Sequence, residues 1–198
     1  MKDKKIWFGI CGSFCNHAYI LEELKKISMY NYIQVIVTEN VYSLNTRFHD
    51  AKEFIEDLEK ISGHEIWHTL VEAEKVGPIY KFDMMVIAPM TNTVMSKLKN
   101  GIYDNPIVLA AKAHLRNEGK IVVGISSNDV LSISGVNLFS LLNYKNIYSI
   151  PFYQDNPYIK PNSIVSEWSL LEETMEYAFM SKQIQPLLIE RRIEWKKY

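Results

Sequence analysis

The stretch that decides the fold is residues 82–105, FDMMVIAPMTNTVMSKLKNGIYDN. Residues 84–88 are apolar without interruption, which predicts a strand buried on both faces. Pro89 should end this strand, because proline has no backbone N–H to donate to a neighbouring strand. A spacing of four then indicates one face of a helix, and three apolar residues carry it: Val94, Leu98 and Ile102.

A short polar loop, Thr91–Asn92–Thr93, joins this strand to this helix and is the first candidate site. In open α/β sheets, ligands bind at the carboxyl ends of the strands, where helix N-termini offer unpaired N–H groups. The same residues are equally typical of an ordinary loop that caps a helix. Both interpretations remain open at this point.

The rest of the chain repeats the alternation of strand and helix. Strand-like runs occupy five segments: 5–11, 32–38, 84–88, 120–125 and 146–150. Helical spacing follows most of them, for example over 18–27. The alternation predicts a three-layer, Rossmann-like (flavodoxin-like) α/β fold, with a parallel sheet of about five or six strands and helices on both faces.

The C-terminal part departs from this alternation. Residues 152–162, FYQDNPYIKPN, are interpreted as a long loop, a feature that is often functional. Ser163 is expected to cap the final helix. The charged tail, residues 190–198, is expected to fray or to contact a neighbour. The whole chain, 1–198, is interpreted as one domain, with the final helix and tail over 163–198.

Composition narrows the function classes. A chain of 198 residues with a net charge of −1 offers no electrostatic attraction for nucleic acid. Its apolar runs fall short of the roughly 20 residues of a membrane span. The apolar part of its N-terminus, MKDKKIWFGICGS, is too short for a signal peptide. We therefore expect a cytoplasmic protein without a nucleic-acid or membrane partner.

Small polar residues recur at the expected strand ends. They form four groups: Ser13, Thr38, Thr91 to Thr93, and Ser126 to Asn128. Because the carboxyl ends of parallel strands share one edge of a sheet, these groups predict a polar rim around a crevice. A phosphate-bearing ligand fits such a rim through backbone N–H groups and neutral donors. Each of these residues can equally serve only to close its own turn.

Two motifs suggest a metal or a redox site, and neither is sufficient for one. Residues 64–68, HEIWH, match the H-E-x-x-H pattern of zinc hydrolases. However, Gly63 directly precedes the motif, and no downstream motif offers an obvious third ligand. Cys11 and Cys15 form a single CxxxC pair, which is too few cysteines for a disulfide framework or a zinc site. No metal is therefore expected.

The central stretch resembles the homo-oligomeric flavin-containing cysteine decarboxylase superfamily. Those FMN proteins carry a Pro-Ala-Ser-Ala-Asn-Thr signature after their third strand, then Lys-Ile/Leu-Ala-Asn-Gly-Ile-Xaa-Asp-Asn. Here the first motif reads PMTNTV over 89–94, with Thr93 in place of the family's Asn. The second reads KLKNGIYDN over 97–105, which is a close match. A further family motif, Pro-Xaa-Met-Asn, is only echoed by the stretch SSN over 126–128.

The chain as a whole is more similar to one branch of that superfamily, the B subunits of dipicolinate synthase. Four stretches carry this resemblance: NVYSLNTRF (40–48), VIAPMTNTVMSKL (86–98), GISSNDVLS (124–132) and PFYQDNPYIKPNS (151–163). The resemblance implies a role in forming dipicolinic acid from a dihydrodipicolinate-type precursor, in the mother cell of a sporulating bacterium. It also implies a dehydrogenase-like partner, the A subunit of dipicolinate synthase, that carries NADP, and a chain that is not a complete enzyme alone.

The resemblance extends to cofactor, substrate and assembly. It implies an FMN site, although the altered signature leaves the occupancy open, and a homo-oligomer such as a trimer. The residues expected at the cofactor are Gly12, Ser13, Phe14, Thr38, Pro89, Met90, Thr91, Asn92, Thr93, Ser126 and Asn128. The residues expected at the diacid substrate are Arg47, Asn45 and Lys160, because its two carboxylates require cations and donors.

One departure from the decarboxylases bears on the chemistry. Those enzymes place a catalytic His ahead of the third strand, and Lys75 occupies the corresponding position here. Decarboxylation is therefore not expected, and no catalytic residue can be assigned. Two alternatives remain open: a stand-alone FMN enzyme of the decarboxylase or prenyltransferase kind, and a scaffold that only stabilises the dehydrogenase-like partner.

Overall fold

A parallel sheet forms the centre of the computed structural model, which describes residues 1–190. Four of its strands follow the order β2-β1-β3-β4, and β5 pairs with the first half of β4. The strand bounds are β1 (Lys5–Ile10), β2 (Tyr32–Val37), β3 (Met84–Met90), β4 (Lys120–Ser127) and β5 (Ile147–Ser149). The predicted α/β fold and its five parallel strands are confirmed.

The strands separate two hydrophobic layers, because successive side chains point to opposite faces. In β1, Phe8 packs into the layer covered by α1, α3 and α8, and Trp7 packs into the layer under α5, α6 and α7. Helices thus cover both faces, as predicted. The helix bounds are α1 (His17–Ser28), α2 (Glu39–Ser43), α3 (Ala51–Ser62), α4 (Leu70–Ala73), α5 (Asn92–Asn100), α6 (Pro106–Arg116), α7 (Gly135–Leu142) and α8 (Leu171–Phe179).

The segment after β5 is the main correction to the sequence prediction. The loop predicted over 152–162 is instead an antiparallel hairpin of β6 (Phe152–Asn156) and β7 (Lys160–Ser166). Strand β7 pairs with the carboxyl end of β4, and the sheet becomes a mixed sheet of seven strands. Ser163 lies inside β7 and is buried, so the prediction that it caps the final helix is wrong.

Strand β3 continues past the position at which Pro89 was expected to end it. The β3–β4 register shifts after Ile87, and Met90 pairs again, with Ile125. The chain tolerates proline inside this strand because a local irregularity in the pairing removes the need for its N–H.

The helix that follows β3 ends two residues before the last predicted apolar position, Ile102. Val94 and Leu98 are buried as expected, but α5 ends at Asn100. Gly101 adopts a left-handed conformation with φ 71° and terminates the helix, as glycine commonly does. Ile102 therefore lies beyond the helix and is exposed.

The C-terminal segment packs back onto the sheet before the described residues end. Backbone bonds join Phe152 to Leu187 and Ile189 on this segment. The predicted charged tail falls, from residue 191 onward, outside the described residues. None of the helices in the described part of the chain combines the length and apolar character that crossing a membrane requires.

Candidate functional site

The carboxyl ends of β1 and β4 meet through hydroxyl side chains. The Oγ atoms of Ser13 and Ser126 are 2.7 Å apart. The Nδ2 atom of Asn16 lies 3.1 Å from Ser13 Oγ and 2.8 Å from Ser126 Oγ. The indole N–H of Trp168 donates to Asn16 Oδ1 at 3.1 Å. Two of the predicted strand ends are therefore joined into one polar network, in which Asn16 contacts each of the other three residues.

This network lies at an open cleft of about 630 Å³, here named the serine cleft. Its walls come from the start of α1, the end of β4 and the hairpin β6–β7. Its lining includes Ser13, Asn16, Ser126, Asn128, Lys160 and Trp168. The volume falls within the range that small-molecule sites occupy.

Charges in the serine cleft are largely paired. Lys160 Nζ lies 2.8 Å from Asp155 Oδ2, and Lys26 Nζ lies 2.7 Å from Glu23 Oε1. A diacid that used Lys160 would have to share that ammonium with Asp155. Asn128 accepts a long bond of 3.4 Å from Ser163 Oγ, so its amide sits at the same mouth of the cleft.

A second group of predicted cofactor residues surrounds the end of β2. Thr38 Oγ1 is buried and has no hydrogen-bond partner among the described residues. A Cβ added at Gly12 would lie 3.4 Å from the Phe14 ring and 3.9 Å from Asn40, which is two residues after Thr38. An orphaned buried hydroxyl is costly unless a ligand or water uses it. An unpaired hydroxyl at a strand end is the kind of neutral donor that a phosphate group uses.

The loop after β3 is bound internally. Asn92 Nδ2 donates to Asp129 Oδ2 at 3.3 Å, and Asn92 Oδ1 accepts from Asn137 at 3.3 Å. Thr91 is the N-cap residue of α5, although its side chain makes no capping bond, and Thr93 is exposed. Asn92 therefore has a fixed amide orientation, because a carboxylate only accepts hydrogen bonds.

Two of the predicted cofactor residues, Pro89 and Met90, do not lie on the rim. Both side chains are buried within β3, and Met90 belongs to the hydrophobic layer under α5, α6 and α7. Only backbone atoms face the neighbouring loop, where the Pro89 carbonyl accepts from Cys11 N at 3.2 Å.

The predicted substrate residues are not gathered in one place. Arg47 is exposed, and its guanidinium lies 4.8 Å from the Phe48 ring centroid. Asn45 uses Oδ1 to accept from Ala51 N at 2.9 Å, which ties the loop to the start of α3. Of the three, only Lys160 borders the serine cleft.

A pair of contacting histidines, the buried His17 and the partly exposed His49, lies beneath this edge, and no motif in the sequence indicates it. His17 Nδ1 lies 2.8 Å from His49 Nε2, and His17 Nε2 lies 2.9 Å from the Cys11 carbonyl. Burial lowers the pKa of His17 from 6.5 to about 4. Burial likewise raises the pKa of the Cys11 thiol to about 12, so this cysteine is inert.

The HEIWH stretch is extended, not helical. Trp67 pairs with β2 as a short parallel bridge to Ile36. The two histidine rings contact different partners: His68 stacks on Tyr42, and His64 packs against Tyr32 in a tilted arrangement. Within residues 1–190, no group of three or more His, Cys, Asp or Glu side chains is placed to hold a metal ion.

Comparison with known proteins decides the family. The family model described as Flavoprotein matches residues 1–160. The chain belongs to the Flavoprotein family. A curated relative in Bacillus subtilis (strain 168), the B subunit of dipicolinate synthase, is 43% identical over 191 residues, which are 96% of each chain.

Solved structures agree with this family membership. The crystal structure of the dipicolinate synthase B subunit from Bacillus halodurans C is 41% identical, with a TM-score of 0.87 over 96% of this chain and 98% of that one. The FMN-dependent cysteine decarboxylase SpaF is 16% identical, with a TM-score of 0.63 over 90% of this chain and 97% of that one. The second likeness shows a shared fold at low sequence identity.

Proposed function

We propose that the chain is the B subunit of a dipicolinate synthase. Together with a dehydrogenase-like A subunit that carries NADP, it would form dipicolinic acid from a dihydrodipicolinate-type precursor in the cytoplasm of a sporulating mother cell. The observation that carries the proposal is the 43% identity to the Bacillus subtilis protein over 96% of both chains. The chain would act within an oligomer and would not be a complete enzyme alone.

The reaction removes two hydrogens from the dihydropyridine ring. One leaves as a hydride to an oxidised nicotinamide or flavin, and the other leaves as a proton, so the ring becomes aromatic. A bound FMN would supply a hydride acceptor. The residues of this chain would bind and orient the diacid. Arg47 and Lys160 would bind its carboxylates. Further hydrogen bonds would come from Asn45, Asn92, Thr93 and Asn128.

The buried hydroxyl of Thr38 is a reason to propose that the FMN phosphate binds at the end of β2. This hydroxyl lacks a partner among the described residues, and a phosphate oxygen would accept from it. The change Thr38→Val keeps the shape and removes the hydroxyl. It should therefore weaken FMN binding at least tenfold, since hydrogen bonds to charged groups contribute about 1.5–3 kcal/mol. The free protein should be no less stable, because the change removes an unsatisfied buried group.

The two-chain model is tested by assaying the purified chains apart and together. Turnover of the precursor should require both. After incubation with FMN and removal of unbound flavin by gel filtration, the absorbance spectrum of this chain should show the visible flavin bands. Full activity from this chain alone would instead favour the stand-alone flavin enzyme. That alternative is disfavoured because Lys75 stands at the position of the decarboxylase His.

Arg47 is tested by Arg47→Ala in the reconstituted pair. We expect the Michaelis constant for the precursor to rise at least tenfold, at unchanged thermal stability, because the guanidinium makes no ion pair within the described residues. Arg116→Ala is the matched control, since Arg116 is an exposed arginine at the end of α6. An unchanged Michaelis constant in Arg47→Ala would remove Arg47 from the substrate site.

A further inference from the structure

The orientation of the Asn16 amide follows from its partner on the hairpin side of the serine cleft. Trp168 offers an indole N–H, which can only donate, so the Asn16 atom facing it at 3.1 Å is the oxygen. The Asn16 nitrogen must then face Ser13 and Ser126. Asn16 is only 7% exposed, and its amide is held between these partners.

Counting hydrogens shows what the serine pair can offer to a ligand. Each hydroxyl has one hydrogen and two lone pairs. One of the two hydrogens lies between the oxygens of Ser13 and Ser126, which are 2.7 Å apart. Asn16 donates to this pair and to the Cys15 sulfur, 3.3 Å away, so it accepts neither hydroxyl hydrogen.

The second hydroxyl hydrogen therefore has no strong acceptor in the described part of the chain. The Cys15 sulfur lies 4.0 Å from Ser13 Oγ, and thiol sulfur is a weak acceptor. Both serines line the serine cleft, so this hydrogen is available to a ligand there. A reversed Asn16 amide would place its oxygen against both hydroxyls, both would donate to it, and no donor would remain.

We propose that Asn16, oriented by the Trp168 indole N–H, is a positioning residue that sets Ser13 and Ser126 to donate one hydrogen bond to an anionic oxygen of the ligand. The inference rests on the proposed function, which supplies two such oxygens: the phosphate of FMN and a carboxylate of the diacid. The serine pair would therefore bind a hydrogen-bond acceptor, such as an anionic oxygen, and would not bind a cation.

The test measures dissociation constants for FMN, riboflavin and dipicolinate on the full chain. Trp168→Phe keeps a ring and removes the N–H, and Asn16→Asp replaces the amide donor by a second acceptor. Trp67→Phe is the matched control, since Trp67 packs against Trp7 away from the cleft. Thermal unfolding of the ligand-free proteins accompanies each titration.

If the anionic oxygen is the phosphate, the uncharged change Trp168→Phe should raise the FMN dissociation constant about tenfold, the size expected for one charged hydrogen bond. Asn16→Asp should raise it at least as much, because its carboxylate also repels the phosphate. Riboflavin binding should stay within about twofold, because riboflavin lacks the phosphate. The ratio of the two constants is the readout, since a merely loosened fold would weaken both ligands alike. If the anionic oxygen is a carboxylate, the loss should appear with dipicolinate and not with FMN.

The remaining outcomes are decisive as well. Wild-type protein that binds no FMN would refute the flavin part of the proposed function, and the dipicolinate titration would then decide the inference alone. The inference is overturned if Trp168→Phe binds FMN and dipicolinate as tightly as wild type, if every ligand weakens in parallel, or if wild type binds neither anion.

Discussion

The change Asp129→Ala should destabilise the protein more than any exposed charge removal. The Asp129 carboxylate joins three elements at the edge of the sheet. It accepts from Ser127 Oγ at 2.5 Å, from Ser134 Oγ, and from Asn92 Nδ2 at 3.3 Å. Ser134 is only 1% exposed, so its hydroxyl would have no water to replace the carboxylate.

The magnitude follows from these bonds. Ser127 and Asn92 are partly exposed and can rebond to water, so most of the cost falls on Ser134. A hydrogen bond to a charged group contributes about 1.5–3 kcal/mol, and an unsatisfied buried donor costs about 1–3 kcal/mol. We therefore expect a loss of about 3 kcal/mol in the free energy of unfolding. With a urea slope of about 2 kcal/mol/M, the midpoint should fall by roughly 1.5 M.

Urea unfolding followed by circular dichroism measures this loss. Asp104→Ala is the matched control, because Asp104 makes an exposed ion pair with Lys97 at 2.8 Å. Such pairs contribute about 0–1 kcal/mol. Asp129→Asn retains one acceptor oxygen and should fall between the two. A midpoint for Asp129→Ala that matches that of Asp104→Ala would refute the role assigned to the carboxylate.

Three further predictions concern other parts of the structure. The folded pKa of His17, about 4, lies below its ordinary 6.5, so the stability it contributes is present above pH 6.5 and is lost as the pH falls toward 4. Wild type should therefore lose about 2 kcal/mol more than His17→Phe between about pH 7 and about pH 5 in urea unfolding, and equal losses would contradict this. Gly124→Ala should cost about 1–3 kcal/mol in the same assay, because its Cβ would lie 2.6 Å from the Trp168 ring and 2.8 Å from Ile150. A thiol reagent should label exposed Cys15 and spare buried Cys11 in the native protein, so Cys15→Ser should show no labelling until it is unfolded.

Much of the fold could be predicted from the sequence because its central strands are apolar throughout. The run Met84–Met90 is buried at every position, so its apolar residues form an unbroken block in the sequence. Parallel pairing then places successive strand ends on one edge, which is why Ser13 and Ser126 were predicted to lie together and are 2.7 Å apart.

The hairpin could not be predicted by the same reasoning. In β6, the residues after Phe152 are only partly buried, so no apolar alternation distinguishes them from a loop. Pro161 lies within β7, where proline normally argues against a strand. The strand forms because its second half is buried and pairs with β4, a tertiary contact that local patterns do not encode.

The correction to β7 also explains why half of the candidate site was missed. Strand β4 changes partner along its length: Ile121–Val123 pair with β5, and Ser126 and Ser127 pair with β7. Strand β7 ends at Ser166, and Trp168, two residues later, donates its indole N–H to Asn16, 152 residues away. The ends of the predicted strands point to Ser13 and Ser126, but not to Asn16 and Trp168. The contact between Asn16 and Trp168 forms only when the β6–β7 hairpin pairs with β4, and local sequence patterns do not encode that pairing.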